Sequence, residues 1–120
     1  MQDFHKLKVY RQAHRLTLGT YAVANSLPTA ERFGLANQMR SAAVSVVSNI
    51  AEGYGRGGLD FRRFLRIALG SAFELESHFH LCNDLRLVGP SDLDPLVEAG
   101  REVQKMLASL LSVIAGRSDN

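Results

Sequence analysis

Few side chains in this sequence have reactive chemistry, and their spacing works against them. There are four histidines and one cysteine. His78 and His80 lie two apart, so on a helix they diverge by about 200° and do not grip one metal ion. A di-metal carboxylate site in a helical bundle needs a histidine three residues after a glutamate. Three after Glu74 stands Ser77, and three after Glu76 stands Phe79. His5 and His14 have no companion ligands. Ser71 lacks the Gly-x-Ser-x-Gly setting that would present a nucleophile. Cys82 falls in an apolar stripe and reads as a packing residue. Gly53-Tyr54-Gly55-Arg56-Gly57-Gly58 has the glycine content of a phosphate cradle. It follows a helix rather than a strand, however, and no Gly-Lys-Ser/Thr completes it. It reads as an interhelical turn. The expectation is no catalytic residue, no metal and no cofactor.

Arginine is the more informative residue. It supplies eleven of the fourteen cations, and its planar fork of donors suits phosphate and carboxylate. The net charge of +2 is unevenly spread: residues 1–66 carry +6 and residues 67–120 carry −4. Lys6, Lys8, Arg11 and Arg15 crowd the start of the first helix, where Arg11 and Arg15, one turn apart, share a face. A helix N-terminus is already positive through its macrodipole, so this cluster does not serve helix stability. Arg11, Arg15, Arg40, Arg56, Arg62, Arg63 and Arg66 form the candidate phosphate-contacting set. The competing reading is that the two halves neutralise each other across helix contacts, and some of these arginines must pair with acids. Aromatics outside the core are scarce, so nucleic-acid binding would be backbone-directed, sequence-tolerant and steeply salt-dependent.

The elements that position these groups are all helical. Leu35, Met39, Ala42, Ala43, Val46, Val47, Ile50 and Tyr54 recur at spacings of three and four, predicting a helix over Leu35–Tyr54. Glycines 53, 55, 57 and 58 are expected to end it, because glycine takes the left-handed cap conformation freely. Ala42–Val47 is apolar nearly all round, which calls for cover on more than one side; in a chain this small a second subunit supplies it most simply. A first helix is expected over Leu7–Ser26, with Leu7, Tyr10, Ala13, Leu16 or Thr17, Tyr21 and Ala24 inward. Leu27-Pro28 stops it, and Thr29 is placed to cap a short turn through Phe33. The third helix is expected over Leu59–Leu87, ended by Gly89-Pro90. Ser91–Asp94 reads as a capping box with Pro95 in the first turn, opening a fourth helix to Ala115 and a polar tail over Arg117–Asn120. No β-branched run alternates with period two. Four amphipathic helices with short connections give an all-α, up-down-up-down antiparallel bundle over residues 1–120, one domain by length.

Folding back near Arg56 brings positions summing to about 115 level with each other. Glu52 then lies near Arg63, Asn49 near Arg66, Ser45 near Gly70, and Arg40 or Ser41 near Glu74. A polar ladder of Ser45, Asn49, Glu52, Gly70, Ser71 and Glu74 is expected there, with Gly70 and Ser71 admitting a close backbone approach. A single cysteine rules out an internal disulfide framework, and a reduced, cytoplasmic setting fits it. Neither a signal-peptide core nor an apolar run of about 18 residues is present, so secretion and membrane spanning are not expected.

Several blocks carry a resemblance. Gln38-Met39-Arg40, Ser45–Gly53 (SVVSNIAEG), Arg56, Phe64-Leu65 and Ile67-Ala68-x-Gly70-Ser71-x-x-Glu74-Leu75-Glu76 resemble the 23S rRNA-intervening sequence protein family of bacterial four-helix bundles. Leu7-x-Val9 and the Pro28…Leu35 turn fit as well, leaving only helix four generic. Gly57-Gly58-Leu59 departs from the family's serine cap and charged residues. The resemblance implies no established enzymatic activity. It also implies similarity to accessory proteins of diversity-generating retroelements, which form basic pentameric barrels acting on nucleic acid with a reverse transcriptase. By that analogy the chain is a homopentamer that binds RNA or DNA, or docks a protein partner such as a polymerase.

Overall fold

The computed structural model describes residues 3–118, with side chains through Gly116. Four helices follow in order: α1 (Lys8–Ser26), α2 (Leu35–Arg56), α3 (Gly58–Asp84) and α4 (Pro90–Ser118). Single 3-10 turns, Phe4–Lys6 and Thr29–Glu31, precede α1 and α2. No strand occurs among the described residues. Consecutive helices pack side by side and α4 closes against α1, giving an up-down-up-down bundle with extents of 50 × 22 × 20 Å.

The inner face of α1 differs from the sequence expectation. Val9, Ala13, Leu16, Thr20, Val23 and Ala24 are buried, whereas Tyr21 points outward. Thr20 tolerates full burial because its Oγ1 donates to the Leu16 carbonyl at 2.7 Å, which satisfies its one donor without leaving the helix. α1 ends where proline requires, with Leu27 extended at φ −68°, ψ 153°. Thr29 opens the next 3-10 turn without capping it through its side chain.

α2 runs two residues beyond Tyr54. Gly53 is therefore not part of the stop signal but a buried interior position of the helix. Gly57 alone separates α2 from α3. Its φ of +71° and the +57° of Gly58 lie in the left-handed region, which side chains resist by about 1–2 kcal/mol. That single reversal makes α2 and α3 the most intimate pair in the bundle. Met39, Ala42, Ala43, Val46 and Ile50 face Leu65, Ala68, Ala72, Leu75 and Phe79 in a core that Leu16, Leu93, Val103 and Leu107 complete.

α3 stops at Asp84, short of Leu87. Leu87 N–H donates to Cys82 O at 3.1 Å and Arg86 N–H to Asn83 O at 2.9 Å, the paired bonds of a Schellman stop. The left-handed residue is Arg86, φ +58°, where glycine is usual. Leu87 then folds back against the core. Arg86→Gly is expected to raise stability by about 0.5–1 kcal/mol, the relieved left-handed strain less the extra unfolded-state freedom of glycine. Thermal unfolding measures it, and an unchanged or lower Tm refutes it.

α4 starts two residues earlier than a Ser91 cap would place it. Pro90 holds the first position, where a missing N–H is harmless, and the Asp92 and Leu93 amides bond to Gly89 O at 3.2 Å. Ser91 is thus inside the helix rather than its cap, and Pro95 falls in the second turn. The helix continues to Ser118 instead of stopping at Ala115. Of the expected polar tail, residues 119–120 lie outside the described residues.

Candidate nucleic-acid interface

Alternating helix direction decides where the cations go. The starts of α1 and α3 and the ends of α2 and α4 share one end of the rod. Lys6, Lys8, Arg11 and Arg15 arrive there from the N-terminal region, and Arg56, Arg62, Arg63 and Arg66 from the α2–α3 reversal. Asp84, Asp92, Asp94 and Glu98 belong to the opposite end, around the α3–α4 connection. The fold turns a sequence-halves asymmetry into an axial one.

The seven candidate arginines are not equivalent. Arg15 and Arg66 are exposed and Arg62 is half-buried; among the described residues none of the three has a hydrogen-bond, ion-pair or ring partner. Arg11 donates through one terminal nitrogen to the Lys6 and His5 carbonyls at 2.9 and 3.3 Å, tying the N-terminal turn to α1. Arg56 holds Glu52 at 3.0 Å and Asp60 at 3.6 Å. Arg63 reaches Asp60 at 3.7 Å, and both Arg56 and Arg63 lie over the Phe64 ring, 5.2 and 5.0 Å from its centroid. Arg40 sits near the start of α2, at the other end of the rod. It donates to Asn25 Oδ1 at 3.4 Å and the Arg32 carbonyl at 3.3 Å. The surface-exposed pairs contribute little to stability, but they occupy donors.

The polar ladder is shorter than expected. Ser45 Oγ meets Ser71 Oγ at 2.7 Å, and Asn49 donates to Ser45 O and Oγ at 2.7 and 3.1 Å. The other rungs are corrected. Glu52 pairs with Arg56 of its own helix rather than Arg63, Asn49 does not reach Arg66, and Arg40 does not reach Glu74. Gly70 is exposed, and a Cβ there would meet nothing within 4 Å. Glu74 is exposed, with no ion pair among the described residues. The register erred by one residue, and one residue on a helix is about 100° of rotation: Ser71 faces α2, and Gly70 faces away.

The close approach lies at Gly53 instead, where a Cβ would stand 2.7 Å from Phe64 Cβ and 3.4 Å from Phe61 O. The paired acid is Glu76. Its carboxylate accepts from Arg101 Nε and a terminal nitrogen at 3.3 and 3.1 Å and from Gln104 at 2.9 Å, with His80 Nε2 at 3.1 Å. These bonds, the Arg101 ones foremost, hold its pKa down at about 2. Only the Glu76/His80 spacing of four was visible beforehand; Arg101 lies on α4, and no local signal marks it.

A second unforeseen group lies beside Arg11 and Arg15. The Phe4, His5, Tyr10 and His14 rings contact one another in series, with centroids 4.3 to 6.0 Å apart. Among the described residues no three His, Cys, Asp or Glu side chains gather to hold a metal ion. Cys82 is buried as expected, and burial pushes its thiol pKa up.

The model of the 23S rRNA-intervening sequence protein family matches residues 5–109. The chain belongs to this family. Among solved structures, this family member is similar to a protein of unknown function from the S23 ribosomal protein family of Bacteroides thetaiotaomicron. The two are 21% identical with a TM-score of 0.80, over 86% of this chain and 97% of that one; at that identity the likeness establishes the fold. No curated protein matches the chain. No helix among the described residues is long and apolar enough to cross a membrane.

Proposed function

We propose that this 23S rRNA-intervening sequence protein is a non-catalytic, self-associating bundle that binds RNA or DNA through backbone phosphates. The carrying observation is the convergence of two basic segments, remote in sequence, on one end of the rod, where Arg15, Arg62 and Arg66 have no partner among the described residues. Unpaired guanidinium groups on a rigid scaffold are inexpensive phosphate ligands, because no internal ion pair must break first. Repetition around a symmetric ring would multiply the same patch. Outer apolar side chains support self-association: Val44 on α2, and Ile67, Phe73 and Leu81 on α3, are 39–56% exposed. A pentamer follows only by the analogy with retroelement accessory proteins that the sequence resemblance implies, and a cytoplasmic setting fits the single free thiol.

The same outer faces favour a second reading, a scaffold that docks a protein partner. Size-exclusion with light scattering, with and without a generic RNA, separates the two: the first expects an oligomer that gains mass with RNA at low salt. Fluorescence anisotropy then follows affinity against salt. Arg62→Ala or Arg66→Ala is expected to lower the log–log slope by about 0.7–0.9, one phosphate contact, whereas Arg40→Ala at the far end leaves it unchanged. No retention of RNA or DNA at low salt rejects the reading.

A further inference from the structure

We infer that the ring column at the start of α1 is a stacking platform for an unpaired nucleotide of a single-stranded nucleic acid. This deepens the phosphate-binding reading above and rests on it. Phe4 and His5 are stacked, 4.3 Å between centroids and 25° between planes. Tyr10 meets Phe4 edge-on at 4.7 Å and His5 at 5.6 Å. His14, one turn further along α1, lies 6.0 Å from Tyr10 at 34°. His5, Tyr10, His14, Arg11 and Arg15 line a shallow cavity of about 370 Å³.

Three features point to a base together with its phosphate. First, the rings are held ready. Asp3 Oδ1 accepts from the His5 backbone amide at 3.0 Å and contacts His5 Nδ1 at 2.9 Å, and Arg11 clamps the carbonyls of the same turn. Second, the two histidine rings are open to solvent: the His5 side chain is 69% exposed and His14 is exposed too, while Phe4 and Tyr10 behind them are half-buried. Third, Arg15, a cation without a partner among the described residues, lies on the cavity wall, with Lys6 and Lys8 alongside in sequence. Aromatic faces in a basic groove hold single strands by stacking, whereas a duplex keeps its bases inside and offers phosphate alone. The Asp3 carboxylate beside the column is occupied by His5. The sequence expectation of scarce surface aromatics therefore needs amendment: they are few, and the N-terminal turn gathers them.

The test compares His5→Ala/His14→Ala with the wild-type chain by anisotropy. The probes are an oligoadenylate strand as RNA and as DNA, the same strand with abasic sites, and a charge-matched duplex. Both histidines are exposed, and a thermal melt confirms that the variant folds. The wild type is expected to bind oligoadenylate more tightly than the abasic strand. The double variant is expected to lose on the order of tenfold for oligoadenylate and nothing for the abasic strand or the duplex. Arg15→Ala weakens all of them. The RNA and DNA versions, differing at the 2′-hydroxyl, tell which strand the platform takes. Equal binding of oligoadenylate and abasic strand, or a uniform loss in the double variant, overturns the inference while leaving phosphate binding in place. Absence of binding to every probe overturns both. Tyr10→Leu, which keeps an apolar side chain against the core, is expected to repeat the histidine result.

Discussion

Gly53→Ala is expected to destabilise the protein by about 1–3 kcal/mol, the range for overpacking a filled interior. The added Cβ would stand 2.7 Å from Phe64 Cβ, 3.3 Å from Phe61 Cδ1 and 3.4 Å from the Phe61 carbonyl. Two of those atoms are backbone or one bond from it, so no side-chain rotation relieves the contact; α3 must shift away from α2. Alanine's higher helix propensity returns about 1 kcal/mol, which sets the low end of the range. Gly70→Ala is the matched control. It sits in open space on α3, and the propensity gain alone predicts a stabilisation of up to about 1 kcal/mol. Urea unfolding should place the two midpoints on opposite sides of the wild type with unchanged m-values. A neutral Gly53→Ala would show that α2 and α3 do not approach here.

Loss of the Glu76 charge is the second large effect. Hydrogen bonds from Arg101, Gln104 and His80 bring the Glu76 pKa from the ordinary 4.5 to about 2. A carboxylate held low in the folded state contributes stability above its unfolded pKa and loses it as pH falls through the folded value. The Glu76 contribution is therefore full above about pH 4.5 and gone near pH 2. The Glu76 side chain is 19% exposed but Arg101 is 56% exposed, so solvent screening trims the contribution to about 2 kcal/mol at neutral pH. Glu76→Gln should lower stability by that amount at pH 7. The gap to the wild type should close between pH 4.5 and 2. Glu74→Ala, with no partner to strand, should stay within about 0.5 kcal/mol. A gap that does not depend on pH would mean that Glu76 acts through packing instead of charge.

The sequence misread Gly53 as a helix stop and gave Glu76 no partner, and both have the same cause. Helix count, order and direction depend on local patterns, namely apolar spacing, proline exclusion and glycine reversals, and these were legible. The α2–α3 register was legible to within one residue. In a bundle that does not suffice, because a one-residue offset turns a side chain by about 100°. Ser71 consequently meets Ser45 as expected, whereas Gly70 turns to solvent; Glu74 stays exposed, and the acid that is paired, Glu76, faces α4 rather than α2. Gly53 looked like a helix stop because glycine has two uses, a left-handed cap and a close packing surface, and only the position of Phe64 distinguishes them.

The candidate site divides in the same way. Arginine content and the basic first half could be read directly, since charge belongs to composition. Which guanidinium groups remain unpartnered could not. Glu52 bonds Arg56 four residues on instead of Arg63 across the turn, because a same-helix neighbour is held in reach by the backbone itself. Nor could the axial gathering of the cations, or the Phe4–His14 ring column, be seen in a linear string: the first depends on the chain reversing at Gly57, the second on the N-terminal turn folding back onto α1. By itself the sequence determined an all-α bundle, its family and its excess of guanidinium over reactive groups, since each follows from residue type and short-range spacing. Tertiary structure alone decided which side chains meet, because that depends on helix rotation, which short-range spacing leaves unfixed until four helices pack against each other.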